Sequence, residues 1–200
     1  KLSDLLRNRK LIGACSVVSA YFVFIGAFES VWILDMDHRG ASQWQIGVTV
    51  TCVALPIAVL APWGGSLAQR YGSRRWALAM ITACSIFNAL FGLVPGLWAL
   101  VFLTVGCGFA EGIGFPSGTM LVSSSVPESR QAAAQGLASA IEVGTAALAA
   151  LGLAVVYTTV GHTVAYLVAS GAMLVLLSVG WKLTIGIGGP ESKMIESSAK

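Results

Sequence analysis

Long apolar stretches separated by short polar clusters make up the pattern of hydrophobic and polar positions along this 200-residue chain. Between Leu11 and Leu34 the only charged residue is Glu29, and from Trp76 to Ala110 there is none. A helix needs roughly 20 mostly apolar residues to cross a bilayer, and several stretches reach that length. The pattern therefore predicts membrane-spanning segments.

Charge clusters and Gly/Pro breaks divide the chain into six such segments. They cover residues 11–34, 44–68, 76–94, 97–122, 132–158 and 164–183. Each segment is too long and too uniform for a barrel strand, which alternates over about ten residues, so helices must satisfy the backbone in lipid. We expect an all-α membrane protein with a lead-in at 1–10, a six-helix transmembrane bundle at 11–184 and a polar tail at 185–200.

The basic residues are distributed on one side of this layout. With an even number of spans, one side receives Arg7, Arg9, Lys10, Arg70, Arg74, Arg75, Arg130 and Lys182. The opposite side has only Arg39, beside Asp35 and Asp37. The positive-inside rule then predicts a multi-pass protein of the cytoplasmic membrane with both termini cytoplasmic.

The composition agrees with a membrane protein and argues against nucleic-acid binding, metal or cofactor sites and enzymatic activity. Hydrophobic residues make up 56% of the chain and charged residues 10%, against about 25% charged residues in an average soluble domain. The excess of positive charge flanks the spans, so no nucleic-acid partner is expected. The four cysteines lie in apolar runs without a CxxC pair, and we predict no metal site and no cofactor. We also find no nucleophile elbow or phosphate loop, so an enzyme is not expected.

The most specific motif follows the second span and reads Gly65-Ser66-Leu67-Ala68-Gln69-Arg70-Tyr71-Gly72-Ser73-Arg74-Arg75. It resembles the loop signature of the major facilitator superfamily, G-x-L-a-D-R-x-G-r-[KR], at Gly65, Leu67, Ala68, Arg70, Gly72 and Arg74. It also lies where that family has it, between the second and third helix of a six-helix half. Two positions depart from the signature. Gln69 replaces the acidic residue and Ser73 a basic one, so the family's gating ion pair lacks its carboxylate here.

Simple physical roles fit the motif positions. We expect Gly65 to allow close helix approach and Gly72 to allow a tight turn. Arg70 and Arg74 can hold anionic headgroups, carboxylates or the C-terminal ends of helices. The alternative is that these arginines act only as topology anchors.

The resemblance covers nearly the whole chain, from Leu5 to Lys182. The region from Gly106 to Gly136 resembles the tenth helix and following loop of bacterial drug-efflux-type members. The eroded loop motif, the lead-in and the short polar tail favour the C-terminal half, built as an inverted repeat of three plus three helices. Other Gly and Pro residues within the spans serve either close helix packing or bending during transport.

The resemblance implies half of a secondary active transporter that works by alternating access. Its small-molecule substrate would pass between this bundle and a matching N-terminal six-helix half, in the lipid bilayer. We expect proton-coupled efflux of amphipathic compounds. The alternatives are transport of a specific metabolite, such as a sugar or an amino acid, and a membrane scaffold of the same fold that does not transport.

Three acidic residues lie inside the predicted spans. An ionised side chain at the bilayer centre costs at least about 2.5–3.5 kcal/mol, so such residues usually face a cavity or a partner. Glu111 and Glu142 lie roughly 17 and 15 Å from the same side of the membrane on antiparallel helices, with no Lys or Arg at that depth. We expect them to be proton-coupling or substrate-path residues; the alternative is a protonated, hydrogen-bonded structural contact. Glu29 is nearer the outer end and either is hydrated at the interface or attracts cations.

Aromatic and histidine residues receive simpler assignments. Trp32 and Trp44 fit an interfacial aromatic belt. We assign His38 to a solvated loop and His162 to the start of the last helix.

Overall fold

The computed structural model describes residues 2–187, and within that range the chain forms six long helices. They are α1 (Arg9–His38), α2 (Gln43–Tyr71), α3 (Ser73–Leu93), α4 (Leu97–Ser123), α5 (Gln131–Val160) and α6 (His162–Leu183). A single turn at Leu2–Leu5 precedes α1, and a 3-10 turn at Glu128–Arg130 leads into α5. The all-helical fold with six spans is confirmed. Most of the predicted polar tail lies outside the described residues.

The ends of the helices follow from local chemistry. The Asn8 side chain caps α1 by accepting hydrogen bonds from the backbone N–H groups of Lys10 (3.0 Å) and Leu11 (3.3 Å), as expected for an N-cap asparagine. Gly72 joins α2 to α3 with φ +96°, and Gly161 joins α5 to α6 with φ +109°. Side chains with a Cβ rarely adopt such angles, so these glycines reverse the chain within one residue. The tight turn expected at Gly72 is present.

Helix α1 is the most enclosed of the six. In the most apolar 18-residue window of α1, 72% of the residues are buried. The corresponding shares are 11% for α2 and 6% for the segment that contains α5. At 1.5 Å per residue α1 is about 45 Å long, and it includes a π-helical stretch at Phe28–Trp32. It runs on to His38, past the end predicted at Leu34. Helix α1 is therefore central in the bundle, whereas α2 and α5 lie at its periphery.

The contacts between helices have an internal symmetry. Helix α1 packs mainly against α5 and α6, α4 packs mainly against α2 and α3, and α3 packs against α6. Exchanging α1–α3 with α4–α6 maps this set of contacts onto itself. At the α3–α6 contact, buried Asn88 donates hydrogen bonds to the Ser170 hydroxyl (2.9 Å) and the Tyr166 carbonyl (3.1 Å). This arrangement is the one expected for two inverted three-helix units.

Glycines bring α4 very close to its neighbours. A Cβ built on Gly112 would lie 2.9 Å from the Cβ of Leu60 and 3.0 Å from the carbonyl oxygen of Pro56, and one on Gly64 would lie 2.8 Å from the Cα of Ile113. Close approach through small residues is typical of packed membrane helices. Gly65 does not make such a contact within residues 2–187, because a Cβ there would meet nothing within 4 Å. Gly64, one residue earlier, faces α4 instead.

Trp32 is fully buried, so its assignment to an interfacial belt is wrong. Its indole N–H donates to the Thr104 hydroxyl at 2.9 Å, and its ring stacks on Phe28 with centroids 4.5 Å apart. Because α1 continues to His38, Trp32 lies within the packed part of the helix and faces the core. Trp44 is 67% exposed, and its place in a belt stays a prediction.

Candidate functional site

Glu111 lies in the buried centre of the bundle, on α4, with 4% of its surface exposed. The hydroxyl of Tyr21, on α1, donates a hydrogen bond to its Oε2 atom at 2.9 Å. Cys107 lies one turn earlier on α4 and is buried, as is Cys84 on α3. The acid is thus held by a hydrogen bond that connects α1 and α4.

An aromatic cluster surrounds the Tyr21–Glu111 pair. The ring of Tyr21 lies 5.5 Å from Phe22, 5.6 Å from Phe115 and 6.2 Å from Phe24, measured between centroids. Phe115 is exposed, and Phe22 is partly buried. One side of the cluster therefore reaches the surface of the bundle, and the carboxyl group lies behind it.

Glu142, on α5, is in a different setting from Glu111. It is half-buried, and its carboxylate makes no hydrogen bond to any residue from 2 to 187. Glu111 and Glu142 do not share a hydrogen bond. Only Glu111 is bonded to α1, through Tyr21.

Glu29 lies apart from these two acids, eight residues beyond Tyr21 within the π-helical stretch of α1. At 1.5 Å per residue this is about 12 Å nearer the end of α1, and the side chain is exposed. Glu29 is therefore not part of the Glu111 cluster.

A buried ion pair at the far end of α1 was missed by the sequence analysis, which assigned Asp35 to the connecting segment. Arg39 contacts Asp35 through two hydrogen bonds of 3.0 and 2.9 Å, and the Tyr166 hydroxyl of α6 donates to Asp35 at 3.3 Å. Arg39 also donates to the carbonyl oxygens of Phe91 (3.2 Å) and Val94 (2.8 Å), at the end of α3. The two residues are four positions apart, which is the spacing of an ion pair on one face of a helix. This spacing could have indicated the pair from the sequence.

His38 is the last residue of α1 rather than part of a loop. Its Nδ1 atom lies 2.6 Å from the Tyr157 hydroxyl of α5, and the two rings stack at 5.6 Å. Together with the Asp35–Arg39 pair, this contact ties α1 to α3, α5 and α6 at the end of the bundle opposite most of the basic residues. His162, as expected, is the first residue of α6.

The loop motif joins α3 to α6. The Arg74 guanidinium donates to the Thr184 hydroxyl (3.0 Å) and the Trp181 carbonyl (3.0 Å), and it lies 4.9 Å from the Trp181 ring centroid. Arg74 thus caps the C-terminal end of α6, where a cation is favourable. Gln69 and Arg70 are exposed at the end of α2, and Leu67 is partly buried one turn before them.

Within residues 2–187, the charged residues in the interiors of the helices are all acidic. Lys and Arg side chains occur only near the helix ends or in the connecting segments of residues 2–187. Within the same range, no group of three or more His, Cys, Asp or Glu side chains is arranged to hold a metal ion. The buried chemistry available is therefore a carboxyl group with hydroxyl and thiol neighbours.

Comparison with known proteins agrees with the helix arrangement and the loop motif. The sequence pattern of the Major Facilitator Superfamily matches residues 10–193. The chain belongs to this superfamily.

Curated relatives include multidrug resistance proteins. The chain is 29% identical over 140 residues to the multidrug resistance protein MdtG of Dickeya zeae, an alignment covering 68% of the chain and 34% of that relative. For MdtG of Yersinia enterocolitica the identity is 26% over 125 residues, covering 61% and 30%. For the "Probable sulfoacetate transporter SauU" of Cupriavidus necator it is 27% over 152 residues, covering 75% and 34%. The chain spans about a third of the length of the relatives it matches.

Proposed function

We propose that this bundle is one half of a secondary active transporter that exports amphipathic small molecules in exchange for protons. The observation that carries the proposal is Glu111, a buried acid held by Tyr21 behind an aromatic cluster that reaches the surface. Similarity to multidrug resistance proteins supports this class of substrate.

Proton exchange at Glu111 follows from the cost of burying a charge. Burial favours the neutral carboxyl group, whereas the hydrogen bond from the Tyr21 hydroxyl favours the ionised form. These opposing contributions allow Glu111 to change between the two forms as the site opens to either side. An ionised Glu111 would attract a cationic substrate, and protonation would release it. Glu142, half-buried and without a hydrogen-bond donor among residues 2–187, is the second candidate.

The aromatic cluster suits a substrate with an apolar body. Phe22 and Phe115 offer ring faces beside the acid, and aromatic faces attract cations within about 6 Å of the ring centroid. A lipophilic cation would thus find a carboxylate and aromatic rings within one region of the bundle.

A second six-helix bundle would complete the substrate path. In this fold the path lies between two such bundles. Peripheral helices α2 and α5 are 11% and 6% buried over their most apolar windows, so they offer apolar surface to a second bundle as well as to lipid. With the basic helix ends on the cytoplasmic side, both ends of the described chain would be cytoplasmic.

Transport of an organic anion is the second candidate, because one relative is named a sulfoacetate transporter. An anion needs a cationic partner in the membrane interior. No Lys or Arg lies in the described helix interiors of this bundle, so the required cation would have to come from the second bundle. This difference favours cationic or neutral amphipathic substrates.

The test is proton-gradient-driven movement of lipophilic cations, neutral drugs and sulfonated anions in proteoliposomes. It uses the complete transporter, meaning this bundle with its second one, on one chain or two. Glu111→Gln should abolish gradient-driven movement, and Glu142→Gln should reduce it, whereas Glu128→Gln at an exposed turn is the matched control. Unchanged transport in both Glu111→Gln and Glu142→Gln would refute proton coupling through these acids. Movement of the anions alone would support the second candidate.

A further inference from the structure

A groove of about 800 Å³ lies between α3 and α6 at the end of the bundle that has most of the basic residues. Its floor is apolar and includes Leu78, Leu174 and Leu177. Its rim includes Arg75, Trp181 and Lys182. We call this feature the α3–α6 groove.

The walls of the α3–α6 groove are held at a fixed spacing by contacts at both ends. Arg74 joins the start of α3 to the Trp181 carbonyl and the Thr184 hydroxyl of α6. Farther along, Asn88 of α3 donates to Ser170 and Tyr166 of α6. The groove lies between these two contacts, so it is a built feature rather than a gap between loosely placed helices.

The charge of the rim is positive and unbalanced. Arg75 and Lys182 are exposed, and neither forms an ion pair with any residue from 2 to 187. Among residues 2–187, no acidic side chain lines the groove. Because Arg74 already caps α6, Arg75 and Lys182 are the cations available to a ligand.

The shape of the groove matches a molecule with an anionic head and a long apolar tail. From Arg75 at the rim to Thr82 the groove follows α3 for seven residues, about 10 Å. Trp181 is 58% exposed at the rim, at a depth where aromatic side chains are common in membrane proteins. A free phosphate would contact the rim and leave the apolar floor uncovered, whereas a lipid covers both.

We propose that the α3–α6 groove binds an anionic phospholipid from the leaflet at the basic end of the bundle. The phosphate lies on Arg75 and Lys182, and one acyl chain lies along Leu78, Leu174 and Leu177. Basic side chains at this depth attract anionic headgroups. The bound lipid is a structural partner of α3 and α6, and neither Tyr21 nor Glu111 lines the groove, so the proposal does not depend on the transported substrate.

Native mass spectrometry of the complete transporter in detergent tests this proposal. Delipidated protein is titrated with phosphatidylglycerol or with phosphatidylethanolamine of the same acyl chains. We expect phosphatidylglycerol to be retained at lower concentration. The double variant Arg75→Gln/Lys182→Gln should weaken its binding on the order of tenfold. Arg70→Gln/Arg130→Gln removes the same charge at the same end of the bundle and should leave binding unchanged.

Two further experiments distinguish a lipid bound in the α3–α6 groove from a lipid held only by electrostatic attraction. Ala79→Phe and Ser178→Phe place a ring in the groove without changing charge, and each should weaken phosphatidylglycerol binding while leaving elution and thermal unfolding unchanged. Excess inorganic phosphate should not displace the lipid. Displacement by phosphate, normal binding in both Phe variants, or an equal loss in the control double variant would overturn the proposal. Equal retention of the two lipids would mean that the charge of the headgroup does not determine binding, and would overturn it as well.

Discussion

The hydroxyl of Tyr21 donates a 2.9 Å hydrogen bond to the carboxylate of Glu111, across the contact between α1 and α4. Helices α1 and α4 are the first members of the two three-helix units. The bond therefore lies where the two units meet, and it connects the central helix of the bundle to its most buried acid. A change in the protonation of Glu111 alters a contact between the two units.

We predict that Tyr21→Phe lowers the free energy of unfolding by about 1–2 kcal/mol, because it leaves a buried acceptor with one donor fewer. In a Glu111→Leu background the same substitution should cost nothing, since the hydroxyl then has no partner to lose. Unfolding titrations in mixed micelles measure both values. Tyr71→Phe, at an exposed tyrosine, should be neutral. Equal costs in the two backgrounds would show that the bond does not contribute to stability.

Arg39→Gln should destabilise the bundle by about 3 kcal/mol, because it leaves Asp35 buried without its counter-ion. Arg39→Lys should recover only part of this loss, since an ammonium group lacks the planar fork that contacts both carboxylate oxygens. Asp35→Asn/Arg39→Gln should be more stable than Arg39→Gln alone. Thermal unfolding followed by circular dichroism ranks these variants.

Arg130→Gln is the matched control for Arg39→Gln. Arg130 pairs with Asp4 at 4.0 Å, and both side chains are about half exposed. Exposed pairs contribute at most about 1 kcal/mol. If Arg130→Gln lowered the stability as much as Arg39→Gln, burial would not be the reason that the Asp35–Arg39 pair matters.

Gly112→Ala should destabilise by about 1–3 kcal/mol, because the added methyl group would overlap Leu60 and the Pro56 carbonyl of α2. Gly171→Ala in α6 is the control, since a Cβ there meets nothing within 4 Å. Alanine is the better helix former, so Gly171→Ala should be neutral or slightly stabilising. Tm measurements in detergent compare the two, and a neutral Gly112→Ala would mean that α2 and α4 can separate freely.

Trp32→Phe should cost about 2–3 kcal/mol, because it removes buried volume and the hydrogen bond to Thr104. Trp44→Phe should change stability by less than about 0.5 kcal/mol, as is usual at exposed positions. Unfolding titrations of both variants distinguish a core tryptophan from an interfacial one. Similar small losses at both sites would restore the belt assignment for Trp32.

The six helices could be predicted because hydropathy reports depth along the chain, and the turns at Gly72 and Gly161 mark the reversals. The side toward which each residue points could not be predicted. In lipid, both the packed face and the lipid-facing side of a helix are apolar, so amphipathic periodicity is weak. This is why Trp32 was assigned to the interface and why Gly65 was chosen instead of Gly64.

The candidate acids could be identified from the sequence because their polarity contrasts with the apolar runs around them. A carboxyl group in an apolar run stands out at any rotation of the helix, so Glu111 and Glu142 could be selected without knowing their neighbours. The partner of Glu111, Tyr21, depends on how α1 packs and could not be deduced. Asp35 was missed because its helix was taken to end at Leu34, which placed the acid outside the bundle.

The position of α1 has a consequence for the order of assembly in the membrane. Helix α1 packs mainly against α5 and α6, for example where Gly180 fits closely against Val17. These residues are 163 positions apart in the chain, and synthesis at 5–20 residues per second takes about 10 to 30 s over that distance. Within this bundle, α1 is made before α6 and must wait for it in the bilayer. The bundle closes only after α6 emerges, and loss of α6 would leave α1 without one of its two main partners.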